Sequence, residues 1–106
     1  MFARNVMMHL KPNRVAEFTR TMDKKIIPLL RKQEGFQDEI TFIASGGLEA
    51  IGISLWDRKE DADAYNRGTY PEVLKALAEV VEGTPRIQIY EVANSTFHVI
   101  AARTAA

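Results

Sequence analysis

Residues 48–66 read LEAIGISLWDRKEDADAYN, and within them the hydrophobic period changes from two to about 3.6. Ile51, Ile53 and Leu55 alternate with Gly52, Ser54 and Trp56, the pattern of a strand with two unlike faces. Asp57, followed three residues later by Glu60, has the form of a capping box, in which each side chain serves the other residue's backbone N–H. The spacing therefore predicts that Trp56 closes a strand and Asp57 opens a helix. Everything on either side takes its phase from this junction.

Toward the N-terminus, Ser45-Gly46-Gly47 is a hairpin turn. The strand before it, over residues 36–44, is expected to carry Phe36, Ile40, Phe42 and Ala44 on one side and Gln37, Glu39, Thr41 and Ile43 on the other. Gly35 stands where a helix ends. That helix bears Val15, Phe18, Met22, Ile26 and Leu29 three or four residues apart, with Asn13 as its N-cap. Pro28 lacks an N–H and its ring meets the preceding turn, which predicts a kink near residues 24–27. Residues 2–10 form a first strand with Val6, Met8 and Leu10 on one face and Asn5, Met7 and His9 on the other.

Toward the C-terminus the second helix breaks at Arg67-Gly68-Thr69, and Thr69 with Glu72 starts another, Pro71 lying in its tolerant first turn. Val73, Leu74, Leu77, Val80 and Val81 form its apolar stripe, with Gly83 as its stop. A last strand over residues 86–92 sets Ile87 and Ile89 against Gln88, Tyr90 and Val92. The order β-α-β-β-α-β predicts an α+β, ferredoxin-like fold, a four-stranded antiparallel sheet with both helices on one face. The bare face would expose a large apolar patch, which predicts a homodimer packed sheet to sheet, residues 94–101 reaching across as a strand.

At 106 residues the chain has room for one domain, with a core over about residues 4–96 and a C-terminal extension over 97–106. Lys plus Arg and Asp plus Glu are both 14, so no basic field draws in nucleic acid or acidic lipid. No cysteine is present, which removes disulfides, thiolate metal sites and thiol nucleophiles and suits a reducing cytoplasm. The start lacks the apolar run of a secretory leader, and no window suits a membrane span. Two histidines, His9 and His98, and scattered carboxylates give no metal-ligand spacing. His9 is expected at an interface and His98 in solvent or against a partner. No nucleophile elbow, phosphate-cradling loop or dinucleotide fingerprint occurs.

Pro12, Glu34-Gly35-Phe36, Trp56 with Glu60-Asp61-Ala62, and Tyr90-Glu91-Val92 together resemble the antibiotic biosynthesis monooxygenase family of dimeric α+β barrels, over about residues 4–96. The resemblance implies a barrel made by two sheets and a pocket between sheet and helices. It also implies either cofactor-independent oxygenation of aromatic, polyketide-like molecules or haem degradation. The haem branch places an Asn, a Trp and an axial His at positions that here hold Val6 (Asn5 being one residue off, on the other strand face), Tyr65 and Lys75. A protonated lysine has no lone pair for iron, which makes haem the minor reading.

Trp56, Tyr65 and Tyr70 are the aromatic cluster on which a flat substrate could stack, although Trp56, beside small Gly52 and Ser54, more readily fills space under the helix, while Tyr65 and Tyr70, flanking the Gly68 break, could do either. With Asn5 they are the candidate site residues. The leading expectation is an oxygenase without metal, flavin or other cofactor, acting on a small aromatic or quinol-like molecule in an apolar pocket. The alternative is a dimeric ligand-binding or structural module without turnover, which the absence of a compelling acid, base or nucleophile favours.

Overall fold

The computed structural model describes residues 1–100. Strands β1 (Phe2–Leu10), β2 (Phe36–Ile43), β3 (Glu49–Trp56) and β4 (Val81–Glu91) make one antiparallel sheet in the order β2-β3-β1-β4. One face is covered by α1 (Val15–Thr21), a π-helical turn (Met22–Ile26) and α2 (Ile27–Arg31), and by α3 (Lys59–Gly68) and α4 (Tyr70–Leu77). This is the ferredoxin-like arrangement, with each helical segment broken into pieces. The breaks follow from the sequence: Pro28 sits at the start of α2, and Gly68-Thr69 separates α3 from α4. None of the helices among the described residues is long and apolar enough to cross a membrane.

Phe18, Met22, Ile26 and Leu30 are the buried residues of the first helical segment, each four positions after the last. In a plain α-helix that spacing drifts by about 40° per step. The wider π turn takes up part of the drift and keeps all four on the sheet. The expected kink is thus a π turn. Leu30 takes the deep position expected of Leu29, which is only partly buried.

Several local expectations change. Asn13 is not the N-cap of α1: it adopts φ 62° in the turn after β1, and Arg14 precedes the helix. Arg58, rather than Asp57, precedes α3, and neither it nor Thr69 makes a side-chain capping bond. The Asp57 carboxylate instead accepts from Gln37 Nε2 at 2.8 Å, and the Thr69 hydroxyl donates to Gln33 Oε1 at 3.3 Å. In β2 the register slips between Phe36 and Asp38. Phe36 therefore shares the covered face with Trp56, while Ile40 and Phe42 lie on the open one. β4 begins at Val81, earlier than expected. Between Met7 and His9 of β1, β4 advances from Arg86 to Glu82, so Gly83 (φ 69°) belongs to a bulge and does not stop a helix.

Residues 94–100 form no strand, and His98 Nε2 contacts Asp38 of the same chain. The described part of the extension therefore folds against its own sheet. Residues 101–106, the rest of the expected extension, lie outside the described residues.

Candidate functional site

β1 alternates, and Arg4 has the same parity as Val6, Met8 and Leu10, so its side chain enters the covered side, where it is 3% exposed. Across the ladder it pairs with Ser54, a small residue that leaves room above it. The break between α3 and α4 turns Tyr65 and Tyr70 toward this point. The Arg4 guanidinium carbon lies 5.0 Å from the Tyr65 ring centroid and 4.2 Å from that of Tyr70. Arg4 Nη2 donates to Asn66 Oδ1 at 2.8 Å, while the buried Nε has no hydrogen-bond partner. Among the described residues no carboxylate lies within ion-pair distance of Arg4.

Arg4, Tyr65 and Tyr70 line a cavity of about 40 Å³ between sheet and helices, whose other walls include Val6, Met8, Met22, Ile26, Leu30 and Glu39. Outside it an open cleft of about 710 Å³ runs between the first helical segment and the edge strand β2, past Thr19, Arg20, Asp23, Ile40 and Thr41. Met22 and Glu39 border both spaces.

Burial pushes the Tyr65 hydroxyl up to about 12, Arg4 offsetting part of the rise, and raises Tyr70 in the same way. Both phenols are therefore neutral donors near pH 7. Burial also raises the Glu39 carboxyl, against a smaller opposing effect of the Thr41 hydroxyl, which donates to it at 2.8 Å. Burial lowers Arg4, the two phenols offsetting this in part.

Of the candidate residues, the structure gathers Trp56, Tyr65 and Tyr70, with Trp56 and Tyr65 ring centroids 5.1 Å apart and those of Tyr65 and Tyr70 6.1 Å apart. Trp56 is fully buried behind Tyr65, donates Nε1 to Ser54 Oγ at 2.9 Å, and does not line the cavity. Asn5 points to the opposite face, beside Met7, Ile51, Arg86 and Gln88, as a strand residue one position from Arg4 must. Arg4 and Glu39 are the site residues that sequence reasoning missed. Both carry a parity signal, Arg4 with Val6 and Met8, and Glu39 with Gly52 and Ser54 across the β2–β3 ladder. His9 is exposed on the open face opposite Glu49.

Haem does not fit. Lys75 is exposed on α4, Val6 offers no polar atom, and no histidine lines the cavity. Among the described residues no three His, Asp or Glu side chains gather as metal ligands.

A split β-α-β sheet with its helices on one face is a fold shared by a class of small α+β proteins, and the solved structures make the likeness specific. The fold is that of the antibiotic biosynthesis monooxygenases. The chain is similar to a monooxygenase from the gene ActVA-Orf6 of Streptomyces coelicolor, solved with nanaomycin D: TM-score 0.75 at 13% identity, over 92% of each chain. A Bordetella bronchiseptica protein that carries a provisional antibiotic biosynthesis monooxygenase name matches at TM-score 0.75 and 14% identity, over 88% of this chain and 97% of that one. NE2512 of Nitrosomonas europaea, a protein of unknown function, matches at TM-score 0.75 and 17% identity, over 92% and 94%. No protein-family model and no curated protein matches the sequence.

Proposed function

We propose that the chain is a cofactor-independent oxygenase of the antibiotic biosynthesis monooxygenase kind. It acts in the cytoplasm on a small aromatic or quinol-like molecule held beneath its helices. One observation carries this reading: the small cavity with its neutral phenols and the larger cleft share Met22 and Glu39 as a common wall. The cavity alone has room for only one or a few waters. A swing of the unbranched Met22 side chain, which sits in the π turn, joins the two spaces into one ligand-sized site.

In that site the chemistry is short. Glu39, its carboxyl raised by burial, takes in its ionised form a proton from an acidic C–H or O–H of the substrate. Tyr65 and Tyr70 donate hydrogen bonds to the oxygen on which negative charge develops. Dioxygen is the oxidant and accepts the electrons of the substrate anion. For a methylene between two rings the balance is CH₂ plus O₂ to C=O plus H₂O. The dry walls of Val6, Met8, Ile26 and Leu30 shield the anion from solvent.

The open sheet face faces a second copy of the chain. Ile40, Phe42 and Tyr90 are each at least half exposed there, next to Ile51, Ile53 and Leu55. A non-catalytic ligand-binding dimer is the second reading, and the small size of the cavity favours it.

The test is oxygen uptake with a panel of anthrones and hydroquinones. Uptake equal to product formed, and reduced by Tyr65→Phe and Tyr70→Phe in dimers that remain folded, supports the oxygenase. Saturable ligand binding with no uptake leaves the second reading in its place.

A further inference from the structure

We infer that the cavity selects an anion. Arg4 is the docking point for an oxygen ionised at neutral pH, a phenolate, enolate or carboxylate carried on an apolar aromatic frame. The inference rests on the cavity being the ligand site and deepens that reading by naming the substrate class.

A guanidinium taken out of water needs acceptors for its five N–H groups, and a carboxylate is its usual partner in a protein interior. Here the protein supplies one neutral amide oxygen, from Asn66, the hydroxyl of Tyr70 and two ring faces, and no carboxylate. Nε is buried and orphaned. Glu39 is on the wall of the same cavity yet out of ion-pair reach, and its carboxyl is raised, where pairing with Arg4 would lower it.

The rest of the lining is apolar or uncharged, so no carboxylate within ion-pair distance compensates the positive charge of Arg4 among the described residues. A planar oxyanion entering from the cleft would complete that compensation. It would be held in the plane of the guanidinium fork, with its rings against Tyr65 and Tyr70.

The test uses the intact protein and the fluorescence of its single tryptophan, Trp56, which lies 5.1 Å from Tyr65. 2-Hydroxy-1,4-naphthoquinone, which is ionised at neutral pH, is compared with its 2-methoxy ether, which cannot ionise. 2-Naphthoate serves as the carboxylate arm. The acid form should bind at least about tenfold more tightly than the ether. Arg4→Met should erase that preference, leaving binding of the ether within about twofold and thermal stability equal or higher, as removal of an unpaired buried charge allows. Arg4→Lys should keep part of the preference. Relative affinity for the naphthoate and the hydroxyquinone tells a carboxylate ligand from an enolate.

Equal wild-type affinities for acid and ether, no binding of any acidic probe at millimolar concentration, or a preference surviving in folded Arg4→Met would each overturn the inference. The wild-type ratio decides even if Arg4→Met fails to fold. Anion preference without oxygen uptake would overturn the oxygenase reading alone, and uptake without anion preference would overturn this one alone.

Discussion

Gly35 and Asp61 approach each other so closely that a single carbon added at Gly35 would lie 2.0 Å from Asp61 Oδ2. Gly35 has φ 78°, and its carbonyl accepts from Asp57 N at 2.8 Å, so the end of the first helical segment is seated on the start of α3. Beside it Phe36 meets Trp56 edge to face at 5.6 Å, and Ala62 is fully buried. The short motifs Gly-Phe, Trp and Asp-Ala, scattered along the chain, are thus one contact cluster that locks the helical layer to the sheet behind Tyr65.

Gly35→Ala should therefore destabilise the fold by about 3 kcal/mol, from the left-handed backbone and the clash together. Asp61→Ala would relieve the two closest of the three contacts, so the double variant should recover about 1 kcal/mol relative to additivity. Gly68, with nothing within 4 Å of an added carbon, is the control: Gly68→Ala should be neutral or stabilise by up to about 1 kcal/mol. Urea midpoints measure all four. A Gly35→Ala protein as stable as wild type would remove this account of the cluster.

Glu39→Gln should lower turnover by about 100-fold or more. In the wild type the acid limb of the pH–rate profile should lie above the ordinary carboxylate range, because burial raises this carboxyl and only its ionised form accepts a proton. Stability runs the other way. The folded state holds the Glu39 proton to higher pH than the unfolded chain, so this contribution is full below the unfolded value and is lost as pH rises through the folded one. The stability of Glu39→Gln relative to wild type should accordingly grow between acid and neutral pH, as paired denaturation curves would show. A flat difference would mean that Glu39 is not perturbed.

The element order and the covered face were legible because β1 and β3 alternate along their length and the helical stripes, though broken, keep apolar residues three or four apart. What escaped were register slips and partner identity. The slip after Phe36 moves that ring to the opposite face from Ile40 and Phe42, and alternation counted straight through it cannot show this. The bulge at Gly83 was read as a helix stop because a glycine with positive φ serves both ends. Arg4 stood in phase with Val6 and Met8, so its burial was readable. That its neighbours would be two phenols and one amide, with no carboxylate, depends on how α3 and α4 land on the sheet. Asn5, one residue along, was bound to face away from them.

Met22 separates cleft from cavity, so its bulk should set how fast a ligand enters. Met22→Ala should cost about 2–4 kcal/mol of stability and yet speed quenching of Trp56 fluorescence by a quinone in stopped flow. Met22→Phe should slow it. Entry rates unchanged in both variants would show that ligands reach Tyr65 and Tyr70 by another route.

The open face gives the last prediction. Ile40 is 53% and Phe42 50% exposed, so the single chain loses little when either becomes polar, whereas a sheet-to-sheet dimer would bury each of them twice about its two-fold axis. Burying the remaining half of such a side chain contributes roughly 1 kcal/mol. Four copies lost in Ile40→Lys/Phe42→Lys therefore remove roughly 4 kcal/mol, or about a thousandfold in dissociation constant, before the cost of desolvating the new charges. Light scattering behind a sizing column should show a wild-type dimer at micromolar concentration and a folded monomer for the double variant. A wild-type monomer under those conditions would mean that Ile40, Phe42 and their apolar neighbours face something other than a second copy.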